Sequence, residues 1–143
     1  MGGATLALGA GGYAVAQYVL RPSTVGALIT PVEAHQLAQS GEITLVDIRR
    51  PDEWSRFGLG EGAHPLDMRR PDFTEALSVL VDGDHSQPVA LICAGGVRSK
   101  YMTARLTEAG FTHIIDIPEG MMGSRVGPGW MRRGLPLTPW NAS

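Results

Sequence analysis

The chain has 143 residues, which is one domain's worth and enough to bury a core without disulfide staples. Twelve Lys and Arg against fourteen Asp and Glu leave a formal charge of −2, so no basic surplus points to a nucleic-acid partner. A single cysteine excludes an internal disulfide, and the four histidines show no metal-ligand spacing with it, so no metal site is expected.

Residues 2–20 carry no charge, a length close to the ~20 residues that cross a bilayer. Five of the first twelve residues are glycine, which weakens a helix there. Ala14-Val15-Ala16 fits a small-x-small cleavage pattern, although no basic stretch precedes the apolar run. Three readings stay open: an export signal, a membrane anchor, or a disordered leader. The first two place the protein at the cell envelope, with membrane contact through residues 2–20. The third leaves it cytoplasmic. With the linker at 22–26, residues 1–26 stand apart from a domain over 27–137 and a tail over 138–143.

Thr30-Pro31-Val32-Glu33 reads as a capping box with proline at the first helical position, which predicts a helix from 31 to about 39. Ala34, Leu37 and Ala38 are expected to face inward. Residues 43–48 are rich in β-branched side chains and read as a strand ending at Asp47 and Arg49. A short helix with Trp54 turned inward is expected over 51–57, then a glycine-rich turn over 58–62 and a short strand over 63–66. His64 is read as packing near the sheet edge. Phe73, Ala76, Leu77 and Leu80 repeat at helical spacing and predict an amphipathic helix. It closes at Asp82-Gly83-Asp84, where His85 is expected to be solvated.

Residues 88–92 form a continuous apolar run that suits a central parallel strand buried on both faces. The run passes into Cys93-Ala94-Gly95-Gly96-Val97-Arg98-Ser99 and a helix over about 97–109, with Met102, Leu106 and Ala109 as its buried stripe. A helix start presents unpaired N–H groups and the positive end of the helix dipole. Gly95 and Gly96 let the loop turn so that several N–H groups converge on one anion. Arg98 adds a fixed positive charge. The thiolate is the nucleophilic form of cysteine, and such surroundings favour it. The alternative is a buried, inert thiol at a strand end; the glycine pair, the arginine and the helix start together favour a reactive one. A further buried strand over 113–117 and a short helix carrying Trp130 within 127–134 complete the pattern. Short strands alternating with helices imply an α/β fold with a mostly parallel sheet of four to five strands. No dinucleotide fingerprint or P-loop is present, so no cofactor is expected.

The loop Cys93-Ala94-Gly95-Gly96-Val97-Arg98-Ser99 resembles the active-site loop of the rhodanese (sulfurtransferase) family, opened by cysteine and closed by arginine. The run from Leu45 through Trp54, followed by Gly62-Ala63-His64, resembles that family's first signature. Ala109-Gly110-Phe111, Asp116-Ile117, Glu119-Gly120-Met121 and the stretch from Gly129 to Pro136 resemble its closing segment. The resemblance implies a three-layer α/β/α fold with helices on both sheet faces. It implies a catalytic Cys93 that carries a persulfide, and a substrate-binding loop of Ala94, Gly95, Gly96, Val97, Arg98 and Ser99. Asp47 and Arg49 would support that loop's shape, and the loop from Glu119 would pack against it. The implied partners are a small anionic donor such as thiosulfate, a thiol or cyanide acceptor, and a protein persulfide as a further donor or acceptor. Many thiosulfate-using members carry a basic residue directly after the cysteine, where this chain has Ala94, which leaves room for a neutral or protein-borne donor. Two other classes stand beside this reading. One is a persulfide carrier or interaction module with little small-molecule turnover. The other is a cysteine phosphatase or arsenate reductase, whose loops hold five residues between cysteine and arginine where this one holds four.

Overall fold

The computed structural model describes residues 26–142. The expectations for residues 2–20 lie outside that range. Among the described residues, no helix is long and apolar enough to cross a membrane.

Five strands form one sheet: β1 (Ala27–Leu28), β2 (Thr44–Asp47), β4 (His64–Pro65), β5 (Val89–Ile92) and β6 (Ile114–Asp116). Their spatial order is β1-β6-β5-β2-β4, and every neighbouring pair is parallel. The central β5 is buried at every position, as its unbroken apolar run requires. The sheet separates two cores. On one face Leu45, Ala90, Ile92 and Ile115 pack with Ala34 and Leu37 of α1 (Pro31–Gln39) and Trp130 of α5 (Gly129–Arg132). On the other face Val46, Leu91, Cys93 and Ile114 pack with Phe73 and Leu77 of α3 (Phe73–Leu80) and Met102 and Leu106 of α4 (Val97–Glu108). This is the expected three-layer α/β/α arrangement. Strand alternation assigns the faces: Leu91 and Cys93 point one way, Ala90 and Ile92 the other.

Local chemistry accounts for the helix starts. Thr30 Oγ1 accepts from Glu33 N at 3.2 Å, and Glu33 Oε2 accepts from Thr30 N at 2.8 Å, closing the capping box. Pro51 opens α2 (Pro51–Phe57), and Trp54 is buried.

Four expectations need correction. The glycine-rich turn at 58–62 contains β3 (Leu59–Gly60), which pairs antiparallel with β7 (Leu137–Thr138). Two-residue strands leave almost no periodicity to read. His64 is exposed on the edge strand β4. His85 is not simply solvated: its ring stacks on Phe111 at 4.0 Å, and its Nε2 lies 2.9 Å from Ser78 Oγ. Ala109 is exposed, because α4 ends at Glu108 and Phe111 takes the buried position beyond it.

Candidate active site

In parallel α/β sheets, chemistry gathers beyond the carboxyl ends of the strands. Cys93 follows directly on the last residue of β5, and α4 begins at Val97. The turn between them depends on Gly96, which adopts φ +86° at the N-cap of α4. A Cβ at Gly96 would also collide with the Pro118 carbonyl oxygen. The left-handed turn aims backbone amides at the sulfur. Gly96 N donates to Cys93 Sγ at 3.1 Å, and Ser99 N donates to it at 3.4 Å. The Cys93 thiol donates to Ser99 Oγ at 3.5 Å, and Ser99 Oγ donates to the Gly96 carbonyl at 3.2 Å. Cys93 is 1% exposed, yet its sulfur faces three polar groups. Two convergent amides at a helix start form a small anion cradle. Gly96→Ala is expected to lose the cradle and stability together, since a left-handed non-glycine residue costs about 1–2 kcal/mol before the clash is counted. Urea unfolding and the rate of Cys93 alkylation check both effects.

A second loop closes over the first. Met121 N donates to the Cys93 carbonyl at 2.8 Å, and Met122 N donates to the Ala94 carbonyl at 2.9 Å. Gly120, at φ +68°, lets the two backbones meet, since a Cβ there would strike the Ala94 carbonyl. Glu119 anchors this loop: it is buried and accepts from Gly129 N, Arg133 Nε and Arg133 Nη2 at 2.7–3.0 Å.

Asp47 and Arg49 are both fully buried and tightly joined. The Asp47 carboxylate accepts from Arg49 N, Nε and Nη2 at 2.7–3.0 Å, and Arg49 Nη2 also donates to the Gly58 carbonyl at 2.7 Å. Asp47 pairs with Ile92, the residue before Cys93, so the ion pair sits beside the start of the Cys93 loop.

Arg98 closes the loop, and its guanidinium is met by Glu53 of α2, a partner not read from the sequence. Nη1 donates to Glu53 Oε2 at 2.8 Å and Nη2 donates to Oε1 at 2.7 Å. This forked pair raises the Arg98 pKa, with smaller contributions from the charges of Cys93 and Asp47. Arg98 chiefly, and the Arg50 amide with it, hold the Glu53 carboxyl down at about 2 against the opposing effect of burial. Glu53 lies 45 residues from Arg98 in the chain, a separation no local spacing rule connects. Its position three residues after Arg50, where it accepts from Arg50 N at 3.0 Å, is the one sequence signal for it. The remaining loop residues line the mouth: Ala94 is half-buried, while Gly95 and Val97 are exposed.

One buried carboxyl beside the site makes no ion pair among the described residues. Asp116 ends β6, is 5% exposed, and its Oδ1 has no hydrogen-bond partner. Burial raises its pKa, while Ser99, the Ile117 amide and Lys100 act the other way. The folded state therefore binds its proton more tightly than the unfolded chain. Stability is lost as pH rises from the ordinary aspartate value through the raised folded one. Asp116→Asn is expected to be more stable than the native protein at pH 7, with the gain gone at pH 3. Thermal melting at the two pH values checks this.

The family pattern described as a rhodanese-like domain matches residues 30–124, which include the whole of the cradle and both flanking ion pairs. The chain belongs to the rhodanese-like family. Among curated proteins, this rhodanese-like chain is 32% identical over 119 residues to the tRNA uridine(34) hydroxylase of Chlamydia abortus, covering 79% of this chain and 36% of that protein. It is 30% identical over 101 residues to the tRNA uridine(34) hydroxylase of a Picosynechococcus strain, covering 70% and 34%. The chain thus spans about a third of the length of these relatives. Among solved structures, Rv0390 of M. tuberculosis superposes with a TM-score of 0.60 at 27% identity, over 82% of this chain and all of that one. The polysulfide-sulfur transferase homodimer of Wolinella succinogenes superposes with a TM-score of 0.59 at 22% identity, over 90% of each chain, a likeness of fold.

Proposed function

We propose that this domain is a sulfurtransferase that carries sulfane sulfur as a persulfide on Cys93. The observation that carries the reading is the cradle itself: two backbone amides at a helix start aimed at one sulfur. The Cys93 thiolate attacks the outer sulfur of a donor. A new S–S bond forms on Cys93, the donor's S–S bond breaks, and the leaving group departs with the electron pair, as sulfite from thiosulfate or as a thiolate from a persulfide. A thiol or cyanide acceptor then attacks the outer sulfur of the Cys93 persulfide. That S–S bond breaks and the cradle receives the thiolate back. The reaction is covalent catalysis in two half-steps, with ping-pong kinetics. Arg98 holds the wall of the loop through Glu53, and the buried Asp47–Arg49 pair fixes the strand end from which the loop departs. The persulfide-carrier function uses the same first half-step and differs in accepting sulfur from a partner protein. Intact-mass measurement after exposure to thiosulfate or to a small persulfide tests the reading. One added sulfur atom, discharged by cyanide as thiocyanate, is the expected result. No added sulfur from either donor overturns it.

The relatives supply a second reading, hydroxylation of uridine in tRNA, on the strength of 32% identity across most of this chain. The match covers only about a third of those proteins, and the formal charge of −2 offers no surplus for phosphate contacts. Formation of hydroxylated uridine in tRNA incubated with the protein and dioxygen as the oxidant would favour it over sulfur transfer. The four-residue spacing between Cys93 and Arg98 leaves a smaller ring of amides than a phosphatase loop, and higher turnover of an aryl phosphate than of sulfur donors would reverse that order.

A further inference from the structure

Arg98, Arg49 and Arg50 are each answered by a carboxylate. Both terminal nitrogens of Arg98 are held by Glu53. Arg49 is held by Asp47. Arg50 lies 3.3 Å from Asp52 and 3.6 Å from Glu53. Glu53 cannot swing away without loss, because Oε2 also accepts from the Arg50 amide at 3.0 Å. The residue after the nucleophile, Ala94, adds no charge. Lys100 and Arg125 are exposed on the flanking elements, where solvent and salt screen them. A donor anion that needs the Arg98 fork must compete with a resident carboxylate already bound to it in the same bidentate geometry.

Resting on the sulfur-transfer reading, we propose that Glu53 sets the charge of donor the site accepts. By occupying the Arg98 guanidinium it selects against dianionic donors such as thiosulfate and for sulfane sulfur on a thiol, an alkyl persulfide with at most one negative charge. In that step the Cys93 thiolate attacks the outer sulfur of R–S–SH. A Cys93 S–S bond forms, the donor's S–S bond breaks, and R–S⁻ leaves with the electron pair. The amide cradle is then sufficient, since it stabilises charge on Cys93 without a free cation.

The test is Glu53→Gln, which keeps the side chain's shape and removes its charge. kcat and KM are measured for thiosulfate and for ethyl persulfide, with cyanide as the common acceptor. The selectivity ratio, thiosulfate over ethyl persulfide, is expected to rise about tenfold through a lower KM for thiosulfate. A purely structural role for Glu53 would move both donors by one factor, and that result overturns the proposal, as does a fall in the ratio. The native protein supplies a second measurement that does not depend on the variant's folding. Sulfate, a dianion of thiosulfate's size, is expected not to compete with ethyl persulfide below about 10 mM, and competition at roughly micromolar concentrations overturns the proposal. If the native protein gains no sulfur on Cys93 from either donor, the sulfur-transfer reading itself falls. If it gains sulfur and Glu53→Gln leaves the ratio unchanged, only the role of Glu53 falls.

Discussion

Replacing Cys93 with serine is expected to leave a folded protein that neither forms a persulfide nor transfers sulfur. The rate loss should be ~10³-fold or more, since removing a covalent nucleophile leaves only what binding and electrostatics supply. Serine is smaller than cysteine and its hydroxyl can accept from the Gly96 and Ser99 amides that now face Sγ at 3.1 and 3.4 Å. Both amides keep an acceptor, so the substitution leaves no buried donor stranded. A melting temperature close to the native value, together with an intact mass that gains no sulfur from any donor, is the expected pair of results. Sulfur transfer at the native rate by the serine variant would show that the chemistry runs elsewhere.

Arg49→Ala is expected to be the most damaging single change to stability. The guanidinium is fully buried, held by Asp47 through Nε and Nη2, and donates once more to the Gly58 carbonyl. Removing one partner of such a pair leaves a charge in the interior without compensation, at a cost of ~3–5 kcal/mol. Replacing both Asp47 and Arg49 with apolar residues of similar volume should cost less than Arg49→Ala alone, because no charge is left behind. Urea unfolding of the two single variants and the double variant gives the coupling directly. A loss under about 1 kcal/mol for Arg49→Ala would mean that water reaches the pair. Because Asp47 lies beside Ile92 in the sheet, persulfide formation should weaken along with stability in Arg49→Ala.

The fold and the loop around Cys93 were legible in the chain because both rest on short-range patterns. The apolar run of β5, the glycine pair after Cys93 and the capping box at Thr30 each declare themselves within a few residues. What could not be read depends on contacts across the chain. Arg98 closes the loop in the sequence, but the direction of its guanidinium is set by Glu53, which arrives on a different helix. The Asp47–Arg49 pair is visible as a motif, whereas its complete burial is decided by the strands and the Gly58 carbonyl that enclose it. His85 reads as a loop residue until Phe111 comes to stack on it. Strands β3 and β7 are only two residues each, too short for alternation to announce them.

Those two strands tie distant parts of the molecule together. Leu137–Thr138 pair with Leu59–Gly60, Trp140 packs edge-on against Trp54 at 5.2 Å, and the Pro136 carbonyl accepts from Trp130 Nε1 at 2.9 Å. Gly58, whose carbonyl receives Arg49, lies immediately before this ribbon and against the Thr138 backbone. Proteolytic trimming just past Pro136 would therefore strip a clasp from the outside of the molecule. The damage would pass inward, from Gly58 to Arg49 to Asp47, and reach Cys93 without touching any residue of its loop.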